Sequence, residues 1–384
     1  MPDAPNWDDF SALAKVQGIF PVIIDTAVKN APMPDRERLA SFKRTAFSAA
    51  MNNEKLLSAQ DEVIRWFDEA GISSVILKGT SASVYYPQPE TRPLGDIDIL
   101  VSPEDVQKAA EIIENNGYQK TEIEHGFHIG YRKNKIVLEL HYAPTDVPNS
   151  KGGMAANAIM DGYLTNTQTK QILGHEFPAL SEQNQALCLL MHMERHLLTG
   201  GIGLRQLCDW AAFISKTNDA VFENEILPLL SACGMAKFAR ISMKTCAMYL
   251  GIPLNHPELY RDISDEICER FMESIFASGN LGKAAEGNMQ SFFIDREATG
   301  GETKGKLATL IGKVSAYTRS RYPVTEKHPI LLPFFMAYLP LRYKIRSFRG
   351  LRPKNKVSEI LSNAKENDLL FRELQLYEVK QTKK

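Results

Sequence analysis

No run of about 18 apolar residues occurs in this 384-residue chain, so no membrane-spanning helix is expected. The opening Met-Pro-Asp-Ala-Pro-Asn-Trp-Asp-Asp is acidic and lacks the apolar core of a secretory leader, so a cytoplasmic location is expected. Cysteine is scarce. There are five, at 188, 208, 233, 246 and 268, and none forms a Cys-x-x-Cys pair. An odd number without paired spacing argues against a disulfide framework and fits reduced, mostly buried thiols. The net charge is only −1, so the total makes no demand for a polyanionic partner. Internal repeats and low-complexity tracts are absent as well.

What is present is an ordinary globular composition, 44% hydrophobic and 24% charged, with enough length for two or three domains and ample core. The charge is unevenly spread. From Gly301 onward there are 18 Lys+Arg against 7 Asp+Glu, which leaves the first 300 residues acidic. The stretch 342–356 carries Arg342, Lys344, Arg346, Arg349, Arg352, Lys354 and Lys356 and no acid. Starting near Pro340, it reads as a basic amphipathic helix with Leu341, Ile345 and Phe348 on one face. Such a helix suits contact with RNA or a membrane surface. The plainer reading packs the apolar face at home and leaves the arginines solvated.

The chemistry concentrates in two short stretches. Leu77-Lys78-Gly79-Thr80-Ser81 follows a strand (Val75–Leu77) and leads into a helix near 82–86. A small-residue turn at a helix start offers backbone N–H groups and hydroxyls to an anion. A loop with Arg92-Pro93 then leads to Gly95-Asp96-Ile97-Asp98-Ile99-Leu100-Val101. Side chains two apart on a strand share a face, so Asp96 and Asp98 project together while Ile97 and Ile99 bury on the other side. Neighbouring carboxylates repel unless a cation lies between them. Asp-x-Asp alone recurs by chance; its order after the Gly-Thr-Ser turn and its apolar surroundings carry the information. A third acid, Glu139, lies in Ile136-Val137-Leu138-Glu139-Leu140-His141, which alternates with period 2 and follows an Asn134 turn as the second arm of a hairpin. Beside the two aspartates it would complete a three-carboxylate metal site.

These residues together resemble the nucleotidyltransferase superfamily that includes DNA polymerase beta and kanamycin nucleotidyltransferase. More closely, the chain looks like a bacterial family known only as uncharacterised nucleotidyltransferases. The resemblance rests on Gly71-Ile72, Leu77-Lys78-Gly79, Tyr86-Pro87, Arg92-Pro93, Asp96 to Val101 and Glu139-Leu140-His141. It continues through His192, His196 and Gly203-Leu204-Arg205-Gln206 with Asp209, and spans roughly residues 7–350. The superfamily's usual Gly-Gly or Gly-Ser turn is here Gly79-Thr80, preceded by Lys78.

The fold this implies is α+β: a small mixed β-sheet nucleotidyltransferase core with helices on one face, flanked by N-terminal helices and a C-terminal all-α domain. The expected segments are an N-terminal helical segment (1–70), the catalytic core (71–150), a helical domain (151–300) and a basic C-terminal helical tail (301–384), with a flexible joint near Gly300-Gly301. The implied reaction is Mg²⁺- or Mn²⁺-dependent transfer of an NMP from a nucleoside triphosphate such as ATP to a hydroxyl-bearing acceptor by a two-metal mechanism. Asp96, Asp98 and Glu139 would be the metal ligands and catalytic acids. Lys78, Gly79, Thr80, Ser81, Arg92 and Arg205 would hold the nucleotide. The acceptor, a small molecule, protein or RNA, is not named by the sequence. Kinase-like phosphoryl transfer, a toxin-type transferase acting on tRNA and a non-catalytic nucleotide-binding scaffold are the other readings. The presence of all three acids weighs against the scaffold. His192 and His196, four apart on a helix, have zinc-ligand spacing but no third ligand in view, and packing is the simpler reading. Arg205 and Asp209, also four apart, have the spacing of a helical ion pair.

Overall fold

The structure, a computed structural model, describes residues 5–279 apart from 146, 148–149, 200 and 253–256, together with 315, 318, 324–336, 338, 370–371, 373–376 and 378. The glycine joint at 300–301 and the basic stretch 342–356 lie outside the described residues.

Three helices open the chain: α1 (Trp7–Val16), α2 (Phe20–Asn30) and α3 (Arg36–Glu69). Asn6 caps α1 by accepting from the N–H groups of Asp8 and Asp9, and Asp35 caps α3 by accepting from Arg38 N–H. Helix α3 ends at Gly71, whose φ of +69° is the left-handed turn a β-carbon disfavours. There follow β1 (Ser74–Ile76), α4 (Lys78–Ser83), β2 (Ile97–Val101), α5 (Val106–Asn115), β3 (Gln119–His125), β4 (His128–Lys133) and β5 (Ile136–His141). Next come α6 (Lys151–Met160), β6 (Thr167–Ile172) and β7 (His175–Leu180). The helices α7 (Glu182–Thr199), α8 (Leu204–Lys216), α9 (Asp219–Val221), α10 (Leu227–Ala232), α11 (Ala236–Leu250) and α12 (Asp265–Ser278) complete the main body.

The seven strands form one mixed sheet in the order β3-β4-β5-β2-β1-β7-β6. Strand β2 is central and fully buried, antiparallel to β1 and parallel to β5. Its alternation divides the core. Ile97, Ile99 and Val101 pack with Leu57, Val63 and Phe67 of α3 and with Ile113 of α5. Leu100, with Val75 and Leu77, faces the opposite way into a second core built with Leu187 and Leu190 of α7 and Trp210 and Phe213 of α8. Asp98 lies on that second face, between the sheet and the helical half. Tyr85 ties the end of α4 to α8, its ring edge-on to Phe213 at 5.1 Å. From the far C-terminus, Leu370, Phe371, Leu374 and Leu376 are buried in the same helical core, and Glu373 pairs with Arg270 of α12 at 2.7 Å.

One expectation is corrected. The chain does not become helical from residue 151: 167–180 form the β6–β7 hairpin, and β7 joins the sheet parallel to β1 through Ile76 and Ala179. Strand β6 is an exposed edge, and Thr167-Gln168-Thr169-Lys170-Gln171 is polar on both faces, so it lacks the apolar alternation that marks a half-buried strand. The five cysteines are free thiols; four are buried and Cys208 is partly so. No helix among the described residues is long and apolar enough to cross a membrane.

Candidate active site

The register of the sheet assembles the acids. Asp98 pairs directly with Glu139 across the parallel β2–β5 ladder, and Asp96 ends the loop just before β2. Carboxylate oxygens of Asp96, Asp98 and Glu139 all lie within 4.8 Å of one another. Their environments then separate them. Burial, reinforced by the charges of Asp98 and Glu139, pushes the Asp96 pKa up to about 7. Asp98 is held well below the usual carboxylate range: burial opposes this, but the Lys78 ammonium and the His141 hydrogen bond outweigh it.

Lys78 is the cation these acids face. It stands at the first position of α4 with φ +44°, a left-handed conformation unusual for a lysine. Leu77 N–H donates to Asp98 O at 2.9 Å, which locks the end of β1 onto β2 just before that turn. Nζ donates to Asp98 Oδ1 at 2.9 Å and lies 3.8 Å from Glu139 Oε2. Burial would lower its pKa, yet the charges of Asp98 and Glu139 raise it. His141 completes the group, with Nε2 3.0 Å from Asp98 Oδ1 and 3.3 Å from Glu139 Oε2.

The small-residue turn is used in two directions. Gly79 approaches Arg92 and Leu94; a β-carbon there would stand 3.5 Å from each. Thr80 is buried, and Ser81 turns inward, its hydroxyl donating to Ile76 O at 2.5 Å. Arg92 is neither solvated nor open. Its Nε and Nη2 donate to the two oxygens of Asp209 at 3.0 and 2.6 Å, and Tyr86 donates its hydroxyl to the same carboxylate at 2.7 Å. Asp209 therefore bonds across to the sheet loop rather than along α8 to Arg205. This bidentate pair ties the Arg92-Pro93 loop to the helical half.

Arg205 is left without a carboxylate partner among the described residues. Among those residues, its guanidinium makes a long 3.5 Å contact from Nη1 to Pro93 O, and its Nε is buried without a partner. Burial first, then the charge of Arg92, lowers its pKa. The start of α8 is already satisfied: Gln17 takes the N–H of Leu204 with its side chain and that of Arg205 with its backbone carbonyl. The guanidinium of Arg205 remains to meet an anion there.

The pair on α7, His192 and His196, stacks edge to face at 4.4 Å. Burial is the main reason both pKa values fall, that of His196 to about 3, so both rings are neutral. No third metal-ligating side chain joins them among the described residues. A residue that escapes a reading of the sequence is His128, which faces Glu139 at 3.5 Å. The signal was there: once Lys133 pairs with Ile136 around the Asn134 turn, counting outward sets His128 opposite His141.

Over residues 3–251 the chain matches the family described as uncharacterised nucleotidyltransferase. Among solved structures, an antigenic nucleotidyltransferase-like protein from Paracoccidioides brasiliensis is similar at 13% identity and a TM-score of 0.34, covering 55% of this chain and 99% of that one. A Thermotoga maritima CCA-adding enzyme complexed with tRNA is similar at 12% identity and a TM-score of 0.21, covering 84% of this chain and 82% of that one. Likenesses this distant carry no argument about activity. No curated protein matches the chain.

Proposed function

The chain belongs to the uncharacterised nucleotidyltransferase family, and we propose that it transfers a nucleoside monophosphate from a nucleoside triphosphate to an acceptor hydroxyl, with Mg²⁺ or Mn²⁺ held by Asp96, Asp98 and Glu139. The observation that carries this reading is the clustering of three carboxylates, from a loop end and two adjacent strands, with oxygens all within 4.8 Å of one another. Hard divalent cations take such an all-oxygen set and relieve its repulsion. When bound there, the ion supplies charge neutralisation at the phosphate being transferred.

The remaining chemistry falls to the side chains. Lys78 and Arg205 are the cations for the triphosphate, Lys78 beside the acids and Arg205 at the Pro93 loop. Gly79 and Thr80 bring backbone close to it. Arg92 and Ser81, both turned inward, position the loop and the turn instead of touching phosphate. The acceptor oxygen forms a bond to the α-phosphorus, the bond from that phosphorus to the bridging β-oxygen breaks, and pyrophosphate leaves. The acceptor's proton passes to Glu139, whose side chain is 24% exposed against 4% for Asp98.

Calorimetry with each of the four nucleoside triphosphates, with and without Mg²⁺, tests the site without knowledge of the acceptor. Metal-dependent binding that disappears in Asp96→Ala/Asp98→Ala is expected. Product analysis with α- and γ-labelled nucleotide then separates nucleotidyl from phosphoryl transfer. Undiminished metal-dependent binding in the double variant would sink the assignment.

A further inference from the structure

A second set of donors lies beside the three carboxylates on the same face of the sheet. Glu139 and His141 are two apart on β5, so they point the same way. His128 opens β4 and pairs in register with His141. Three side chains from two paired strands thus converge for reasons of register alone. Metal-ligating atoms of His128, Glu139 and His141 all lie within 4.8 Å of one another. Glu139 Oε2 is 3.5 Å from His128 Nδ1 and 3.3 Å from His141 Nε2. Bonds of about 2.0–2.1 Å at tetrahedral angles set neighbouring donor atoms about 3.4 Å apart. Both imidazoles are buried, 5% and 0% exposed. Phe127 packs beside both, its ring 4.5 Å from that of His128 and 5.7 Å from that of His141, with the Arg195 guanidinium over it at 4.3 Å.

We propose that His128, Glu139 and His141 bind a divalent transition-metal ion of the zinc type, with Glu139 shared between this site and the acidic one. Two imidazoles and a carboxylate form a borderline-soft donor set, which suits Zn²⁺ or Co²⁺ and is poorly matched to Mg²⁺. Three protein ligands leave a fourth position open, and Asp98 Oδ1, 3.0 Å from His141 Nε2, borders it. His141 must ligate through a deprotonated Nε2. Its Nδ1 is buried with no hydrogen-bond partner among the described residues, so the ring proton is free to reside there. Lys78 Nζ, 3.5 Å from His141 Nε2, is the cation that now balances these acids, and it competes with the ion. The rival account is that the two histidines only brace Asp98 and Glu139 through hydrogen bonds.

The inference does not rest on nucleotidyl transfer, because Asp96 belongs only to the acidic site and His128 only to the second. The full chain, stripped with chelator, is loaded with Co²⁺ in excess Mg²⁺, desalted, and read by visible absorption and metal analysis. Four-coordinate Co²⁺ with nitrogen ligands absorbs strongly in the visible, whereas six-coordinate Co²⁺ among oxygens absorbs weakly. One retained equivalent with strong bands is expected in wild type and in Asp96→Asn, displaced by Zn²⁺ but not by Mg²⁺. His128→Ala should retain it roughly tenfold or more weakly. His128→Gln keeps a hydrogen-bonding side chain and guards against a folding defect, which circular dichroism checks directly. Co²⁺ retention in His128→Gln equal to wild type, or no retained Co²⁺ in wild type, would overturn the proposal. Loss of nucleotide binding in Asp96→Asn with the Co²⁺ bands intact would show two separable sites.

Discussion

Replacing Asp96 with asparagine should stabilise the metal-free protein at neutral and alkaline pH and have no such effect below pH 4. Burial, then the charges of Asp98 and Glu139, hold the Asp96 pKa at about 7 against an ordinary 3.8, with Lys78 and Arg205 opposing. An acid with a higher pKa in the folded chain binds more protons folded than unfolded, so stability falls as pH rises between the two values. The cost is absent below 3.8, accumulates through the interval and is complete above 7. At 1.36 kcal/mol per pH unit, the full interval corresponds to about 4 kcal/mol. Asp98, held well below the carboxylate range, titrates beneath this window and cancels in the comparison. The assay is urea denaturation in chelator at pH 5, 6, 7 and 8. Wild type should lose stability relative to Asp96→Asn across the series, by up to about 1.4 kcal/mol per unit. Saturating Mg²⁺ should close the gap, because a bound cation favours the ionised carboxylate. The apparent Mg²⁺ affinity of wild type should rise about tenfold per unit up to pH 7 and then level. Parallel stability curves for the two proteins, or equal stabilisation of both by Mg²⁺, would refute the reasoning.

Three further outcomes follow from the packing. Asp209→Ala strands the buried Arg92 guanidinium and should cost about 3–5 kcal/mol in denaturant titrations, with strong non-additivity when combined with Arg92→Ala; a cost under about 1 kcal/mol would mean the pair is not what ties loop to helix. Lys78→Met removes the cation between Asp98 and Glu139, so the metal-free protein should lose stability while calorimetry shows tighter Mg²⁺ binding; an unchanged Mg²⁺ affinity would contradict its role as counter-cation. Gly201→Ala should destabilise by about 1–3 kcal/mol, since φ is +95° and a β-carbon would collide with Ser278; a wild-type melting temperature would show that the α7–α8 turn relaxes.

The acidic cluster was legible because period-2 alternation is a local property. Ile97, Ile99, Leu138 and Leu140 bury together on the α3 side, and the acids between them must then face the other way. The Asn134 hairpin was legible for the same reason. Polar strand β6 was not, because an edge strand held by backbone bonds needs no apolar code. Nor could spacing identify the partner of Asp209. An arginine four residues away on the same helix looks like its natural mate, yet Arg92, far off in sequence, reaches it with two hydrogen bonds.

The sequence by itself determined which residues carry charge onto one face of β2 and β5 and which small residues precede them, since alternation and turn chemistry act over a few residues. Only the tertiary structure decided what those charges meet. Strand order set Glu139 beside Asp98. Packing of the helical half pulled Arg92 inward to Asp209 and left Arg205 without a carboxylate partner among the described residues. Each of these turns on through-space distance and desolvation, which no local pattern encodes.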